Sequence, residues 1–348
     1  MWFISTEVTQ GHSRTGPAGF AFNVILLLAT VATLGWPRLS VPDGPRQTVS
    51  GTLGPKTSEA AQGTRKPNIR VESTLVLIPV TVVDPLYRSV IGLKREDFRL
   101  FEDQTEQAIL HVYGEDAAVS IGLVVDCSGS MADKLQQSHR AVMEFLKAAN
   151  PEDEFSLLLF SDRSELAVDF THSTDEILRR LSGARAGGST ALLDALYLAL
   201  HRIRFGNLAR KALLLISDGG ENSSRYTERE VKELAEETDA QVFAIGIYNR
   251  VPSDAEKREA FIGRTLMSRV AATNGGFQYA VQNINELPKV AAEISHILRN
   301  QYILAYSPTN HAQDGKYRRV SVKVAQPIGR PPLRAYWRTG YYAPNSMY

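Results

Sequence analysis

Three short segments of the sequence hold carboxylate and hydroxyl side chains at close spacing. In Asp126-Cys127-Ser128-Gly129-Ser130, one acidic and two hydroxyl side chains alternate, so an extended loop can turn all three toward one point. Thr190 follows Gly187-Gly188-Ser189, and Asp218 stands between Ser217 and a pair of glycines. Oxygen donors at this density suit a hard divalent cation (Mg²⁺, Mn²⁺ or Ca²⁺) and do not suit a metal that prefers thiolate.

Each segment lies where an apolar run ends or a helical pattern begins. Val119–Val125 and Lys211–Ile216 are mostly apolar, as expected for central parallel strands, and Thr190 precedes the predicted helix Ala191–Ile203. Because ligands of doubly wound sheets bind beyond the carboxyl ends of the strands, we expect the three loops to meet at one edge of a sheet. The predicted metal ligands are Asp126, Ser128, Ser130, Thr190 and Asp218.

The three motifs, in this order, resemble those of a von Willebrand factor A domain. They are the D-x-S-x-S from Asp126 to Ser130, the G-G-x-T-A from Gly187 to Ala191 and the S-D-G from Ser217 to Gly219. In that family they form a metal-ion-dependent adhesion site. The resemblance implies that a partner protein supplies an Asp or Glu carboxylate to an open position on the metal.

The resemblance also implies a role for each ligand. Ser128 and Ser130 would touch the metal directly, Thr190 directly or through water, and Asp126 and Asp218 mostly through water. Ser189 lengthens the usual G-G-T to G-G-S-T, and this departure bears on the position of Thr190.

The flanking segments resemble a bacterial group of A-domain proteins that is often seen in acidobacteria. With them, the resemblance covers residues 68–345, although Gln104 stands where a glycine is usual. The residues that carry it before and after the domain are Gly92, Leu93, Asp97, Phe98, Glu102, Asp103, Gln107, Tyr302, Tyr306, Pro308, Asp314–Tyr317 and Gly340–Pro344.

The wider pattern predicts an α/β fold. Residues 119–299 alternate strands and helices, which indicates a doubly wound, mostly parallel, Rossmann-like sheet covered by helices on both faces. Short strand-like runs, among them Ser89–Leu93, stand in residues 68–112 and again in 302–338. About 45 residues of strand are too few for a core of their own, so we expect the two sets to form one small β-sandwich into which the α/β domain is inserted.

The N-terminal residues differ from the rest. Residues 20–34 carry no charge, which favours a signal peptide or membrane anchor and an exported protein that is periplasmic, membrane-anchored or extracellular. A stretch rich in Pro, Gly and polar residues follows, as in a flexible linker. The predicted units are 1–36 (signal or anchor), 37–66 (linker), 67–117 (sandwich, first part), 118–299 (A domain) and 300–345 (sandwich, second part).

Composition excludes several classes of protein. The formal net charge of +1 gives no general attraction to nucleic acid. The single cysteine, Cys127, rules out an intrachain disulfide, and the histidines share no spacing typical of a zinc site. Cys127 lies beside an acid at a helix start, where a reactive thiol can occur, but its place in the alternation turns it away from the metal.

Other functions remain open at this point. The same Asp, Ser and Thr residues are favoured at helix N-caps. A Mg²⁺-dependent phosphotransfer enzyme with Asp126 as nucleophile would need a second acid beside it, where Ser128 stands, and a lysine after a later strand, whereas Lys211 precedes its strand. The leading prediction is a non-enzymatic, metal-dependent protein-binding or adhesion module of the cell envelope, with no catalytic residue. A metal-independent envelope scaffold is the third possibility.

Overall fold

The computed structural model describes residues 75–114, 116–248, 257–326 and 331–345. The predicted signal or anchor (1–36) and linker (37–66) lie outside these residues. No helix in the described ranges is long and apolar enough to cross a membrane.

A six-stranded sheet forms the centre of the described residues. Its spatial order is β10-β9-β8-β5-β6-β7. Neighbouring strands run parallel except β7, which pairs antiparallel with β6 at one edge. All residues of β5 and β9 are buried, as expected for strands covered on both faces. The strands are β5 (Val119–Asp126), β6 (Glu154–Phe160), β7 (Ser164–Thr171), β8 (Arg210–Ser217), β9 (Gln241–Ile247) and β10 (Gln278–Val281).

Helices cover both faces of this sheet, and alternate residues of β5 point into two separate cores. Leu123 packs in the cluster that holds Phe145 and Ile294, and Val124 packs in the cluster that holds Leu196. The helices are α1 (Leu135–Ala148), α2 (Thr174–Ser182), α3 (Leu192–Arg202), α4 (Glu228–Glu237), α5 (Lys257–Thr273) and α6 (Leu287–Arg299), with short 3-10 helices at Arg95–Asp97, Gly129–Met131, Ile203–Phe205 and Ile284–Glu286. The predicted doubly wound α/β class is confirmed.

Two four-stranded antiparallel sheets flank the α/β part, with orders β13-β1-β11-β4 and β14-β12-β2-β3. Each sheet combines strands from before and after the α/β part, and both contribute to one apolar cluster that includes Ile78, Leu100 and Leu304. The predicted insertion of the α/β fold between two sets of strands is therefore observed. The strands are β1 (Val76–Val83), β2 (Phe98–Glu102), β3 (Thr105–Gln107), β4 (Ile109–Gly114), β11 (Tyr302–Tyr306), β12 (Tyr317–Val324), β13 (Arg334–Trp337) and β14 (Gly340–Tyr342).

One predicted strand is wrong. Ser89–Leu93 makes a single bridge, Val83 to Ser89, and then continues as a loop with Gly92 at φ +84°. The Leu93 N–H donates to the hydroxyl of Tyr302 (3.0 Å) instead of to a neighbouring strand. A positive φ breaks the extended conformation that a strand requires, and glycine is the residue that adopts it most easily.

Candidate metal-binding site

The three loops predicted to hold oxygen ligands come together at the carboxyl end of the central sheet. The loop after β5 contacts the loop before α3, because Gly129 N donates to Gly188 O (3.0 Å). The loop after β8 joins them through Ser217, whose hydroxyl donates to the Asp126 carboxylate at 2.6 Å. The parallel strands end at the same edge, so residues 91 positions apart in sequence meet there.

Asp126 is a buried carboxylate, 0% exposed. One oxygen accepts from Ser128 N (2.8 Å) and the other from the Ser217 hydroxyl. Burial and the charge of Asp218 raise its pKa to about 6, although the hydrogen bonds from Ser128 and Ser217 act in the opposite direction. Both donors are neutral, so a cation close by would stabilise the ionised carboxylate.

The two serines of the D-x-S-x-S motif have their hydroxyls side by side. The short 3-10 helix Gly129–Met131 turns the chain so that Ser128 Oγ and Ser130 Oγ are 3.2 Å apart. Neither serine caps this turn or α1 with its side chain. The N-cap interpretation therefore finds no support at these positions, and two neutral oxygens face each other beside Asp126.

Thr190 lies against the loop that carries Asp218. A Cβ placed on Gly220 would stand 3.0 Å from the Thr190 hydroxyl oxygen, so a glycine there allows the close approach of the two loops. The backbone of Thr190 is held by Asn222, whose side chain accepts from Thr190 N (2.9 Å) and whose N–H donates to Thr190 O (3.0 Å). The N-cap residue of α3 is Ala191, so the Thr190 hydroxyl does not cap that helix.

Lys134 is a member of the site that sequence reasoning missed. Its side chain is only 5% exposed, and its ammonium donates to Asp218 Oδ2 (2.8 Å) and to the carbonyl of Ser130 (2.6 Å). The available signal is its spacing: Lys134 stands four residues after Ser130, one helical turn away. The site thus contains two carboxylates, four hydroxyls (those of Ser128, Ser130, Thr190 and Ser217) and one ammonium.

The donor set decides which metals the site suits. Within the described ranges, no group of three or more His, Cys, Asp or Glu side chains is arranged so that it could hold a metal ion. A metal here would rely on the hydroxyl oxygens of Ser128, Ser130 and Thr190 with the carboxylates of Asp126 and Asp218. An all-oxygen set of mixed charge fits a hard divalent cation, so the residues present fit the ion that the motifs imply.

A family model for the von Willebrand factor type A domain matches residues 121–221, the part of the chain that holds all three loops. The chain contains a von Willebrand factor type A (VWA) domain. The match ends shortly after Asp218 and leaves the flanking strands outside it.

Two curated relatives match this chain, each over a stretch about as long as a single domain. Inter alpha-trypsin inhibitor, heavy chain 4, of Mus musculus is 30% identical over an alignment of 127 residues, and the match covers 32% of this chain and 14% of that protein. Inter-alpha-trypsin inhibitor heavy chain H4 of Homo sapiens is 27% identical over an alignment of 131 residues, and that match covers 33% of this chain and 14% of that protein. The matched region spans about a seventh of the length of these relatives.

Solved structures with similar folds are more distant in sequence. A von Willebrand factor type A protein from Catenulispora acidiphila is 11% identical, with 80% of this chain and 76% of that chain covered and a TM-score of 0.46. Proximal thread matrix protein 1 of the mussel byssus, with a zinc-occupied MIDAS motif, is 18% identical, with 57% and 50% covered and a TM-score of 0.45.

Cys127 does not form a reactive centre in this VWA domain. Its side chain is buried in the apolar cluster that includes Val125 and Met131. Burial, together with the neighbouring charge of Asp126, raises the pKa of the thiol to about 12, so it is protonated at neutral pH. A protonated, buried thiol is a poor nucleophile.

Proposed function

We propose that this VWA domain binds a divalent cation through Asp126, Ser128, Ser130, Thr190 and Asp218. An open coordination position on the ion captures an Asp or Glu carboxylate of a partner protein. Asp126 carries this proposal: it is fully buried, hydrogen-bonded to neutral donors and placed where three loops bring further oxygens together. The proposed activity is binding, without catalysis.

The finer features of the proposal rest on the sequence. Mg²⁺ is the proposed ion, with Mn²⁺ or Ca²⁺ as substitutes, because all donors are oxygens. The uncharged residues 20–34 support an exported protein of the cell envelope, with N-terminal membrane association. The motifs in the flanking segments support membership of this protein in the acidobacterial-type group of A-domain proteins. No nucleic acid partner is proposed.

One observation favours phosphotransfer as a second candidate. Lys134 places an ammonium beside Asp218, and such an enzyme needs a lysine near its acids, although Lys134 follows the first strand of the central sheet and not a later one. The geometry of Asp126 argues against it, because both carboxylate oxygens already accept hydrogen bonds and the side chain is fully buried. A nucleophile needs an oxygen that the phosphoryl group can reach in line.

Calorimetric titration of Mg²⁺ and Mn²⁺ into the native chain and into a Ser128→Ala/Ser130→Ala variant tests the metal site. We expect the variant to bind at least about tenfold more weakly, since weaker perturbations of metal sites already cost that much. Ser182→Ala is the matched control, because Ser182 is an exposed serine whose hydroxyl donates to Arg179 O. Equal binding by native chain and double variant would refute the assignment of ligands.

Partner capture tests the use of the metal. We expect native chain to retain a partner in Mg²⁺ and to lose it in EDTA, and Asp218→Ala to lose it in both. Retention by Asp218→Ala would favour the metal-independent scaffold. Release of inorganic phosphate from a phosphomonoester by native chain, abolished in Asp126→Asn, would favour the enzyme.

A further inference from the structure

A cleft of about 520 Å³ lies beside the proposed metal site, and four arginines line it. Arg163 stands in the turn between β6 and β7, and Arg179 and Arg180 form the last turn of α2. Arg185 lies in the loop that leads to Gly187 and Thr190. We call this feature the arginine cleft. Its charged lining also includes Glu165.

The walls of the arginine cleft continue into the proposed metal site. Cys127, which separates Asp126 from Ser128, is one of the lining residues. Its carbonyl accepts from Gly187 N at 2.9 Å, which ties the metal loop to the segment that carries Arg185. Ser161, another lining residue, accepts from Ala191 N at 2.7 Å, next to Thr190. The arginine cleft and the proposed metal site are therefore formed in part by the same loops.

Most of the positive charge in the cleft is not neutralised by the protein. Arg180 pairs with Glu165 at 2.6 Å, but Arg163, Arg179 and Arg185 make no side-chain ion pair or hydrogen bond with any described residue. All four arginines are exposed. Four arginines and one glutamate give the lining a net charge of +3, whereas the whole chain carries +1. The lining of the arginine cleft is therefore more positive than the chain as a whole.

We propose that the arginine cleft binds Asp or Glu side chains of the same protein segment whose carboxylate reaches the metal. The inference deepens the proposed function and rests on it for the position of that carboxylate. The partner segment is then acidic over several residues, with one acid on the metal and others on guanidinium groups. Arginine suits this role because its planar fork of N–H donors matches the geometry of a carboxylate.

An acidic peptide fits these observations better than a nucleic acid does. A phosphate backbone is held by an extended stripe of basic residues on a basic protein, and this chain is close to neutral. The arginine cleft is a compact feature next to a site that is proposed to take a carboxylate. Its positive charge therefore matches a short peptide segment that carries a few acidic side chains close together.

The test uses the full chain and a fluorescein-labelled hexaglutamate peptide, with binding followed by anisotropy in Mg²⁺ and in EDTA. The cleft variant is Arg163→Ala/Arg179→Ala/Arg185→Ala. We expect it to bind the peptide about tenfold more weakly than native chain, because three modest arginine–carboxylate pairs are lost. The matched control removes three exposed arginines, Arg95, Arg140 and Arg319, whose side chains pair with no residue that the structure describes, and we expect it to bind as native chain does.

A second variant acts in the opposite direction. Glu165→Gln removes the acid that pairs with Arg180 and raises the charge of the lining from +3 to +4, so we expect tighter peptide binding. All altered side chains are exposed, and the circular dichroism spectra should match that of native chain.

The outcomes separate this inference from the proposed function. If Mg²⁺ does not change peptide binding but the cleft variant still weakens it, the arginine cleft stands and the metal proposal fails. If EDTA abolishes binding while the cleft variant equals native chain, the metal proposal stands and the cleft inference is overturned. Absence of peptide binding by native chain overturns it too. Tighter cleft-dependent binding of a thymidine hexanucleotide than of the peptide would replace the acidic peptide by a nucleic acid.

Discussion

Lys134 places an ammonium among the side chains proposed to hold a cation. We predict that Lys134→Met raises the affinity for Mg²⁺ at least about tenfold, because the metal then no longer competes with a fixed positive charge for Asp218. We also expect the metal-free protein to lose about 1–3 kcal/mol of stability, since the largely buried Asp218 carboxylate loses the hydrogen bond from the Lys134 ammonium. Titration calorimetry and urea unfolding in EDTA measure the two effects.

Lys147→Met is the control for this change. Lys147 lies near the other end of α1, where its ammonium pairs with the half-buried Glu144 (2.7 Å), and it is remote in sequence from the site loops. The control should leave both quantities near their native values. Weaker Mg²⁺ binding by a folded Lys134→Met variant would contradict the competition and would make Lys134 a positioning residue for Asp218.

Some contacts between individual residues of the site can be predicted from the sequence, and others cannot. The meeting of Asp126 with the Ser217-Asp218 loop follows from strand order alone, because buried parallel strands end at a common edge. The contact of Lys134 with Asp218 does not follow, since it depends on how the 3-10 turn Gly129–Met131 leads into α1. The ligand set itself stays a prediction until a metal titration tests it.

At the scale of elements, Glu154 at the start of β6 links this strand by hydrogen bonds to β5 and to the loop before β8. Its carboxylate accepts from the Ser120 hydroxyl (2.6 Å) and from the Asn207 side chain (2.7 Å). Burial raises the pKa of Glu154, but these hydrogen bonds and those from backbone N–H groups outweigh it and leave the pKa below the ordinary value. The ionised form therefore stabilises the fold.

We predict that Glu154→Gln costs about 1.5–3 kcal/mol at pH 7, the range for hydrogen bonds to a charged group. The folded pKa is depressed, so native stability from this group is present above the unfolded pKa and is lost as the pH falls through the folded pKa. The difference between native chain and variant should consequently shrink in acid. Urea unfolding at pH 7 and in acid below the pKa of a free glutamate measures it.

The neighbouring Glu152 offers the control for this prediction, because it is exposed. Glu152→Gln should change stability little at either pH. If the loss of unfolding free energy in Glu154→Gln is the same at both pH values, the charge of Glu154 does not cause it. The cause would then be the poorer hydrogen-bonding geometry of the amide.

Elements also differ in how well the sequence predicts them. The long apolar strands were predictable because burial on both faces leaves a continuous hydrophobic run. Helix α2 was not predicted, although Ser173 caps it by accepting from Glu176 N (3.3 Å) and its Ile177 and Leu181 are buried. With 9 residues and two buried positions, its periodicity is too short to stand out. The arginine cleft, to which α2 contributes Arg179 and Arg180, therefore could not be predicted from the sequence either.

At the scale of the whole molecule, the sandwich depends on both ends of the chain. β1 lies between β11 and β13, and β2 pairs with β12, so neither early strand has its main partner nearby in sequence. A polar contact joins the parts too: Glu102, which is buried, accepts from the hydroxyls of Tyr306 and Tyr341, each at 2.7 Å. The early strands alone bury too little apolar surface to persist.

We predict that a chain truncated after Asn300 keeps the α/β part but loses order in β1 and β2. The truncation removes β11 to β14, which exposes Ile78 and Leu100 and leaves Glu102 without its tyrosines. Hydrogen exchange read by mass spectrometry should show fast exchange in residues 76–102 and continued protection in β5, β8 and β9. Tyr306→Phe in the full chain is the milder counterpart, and we expect it to cost about 1–3 kcal/mol by leaving one buried acceptor short of a donor. Native-like protection of β1 in the truncated chain would mean that the early strands hold together alone. The α/β part would then follow a separate small domain and would not be inserted into one.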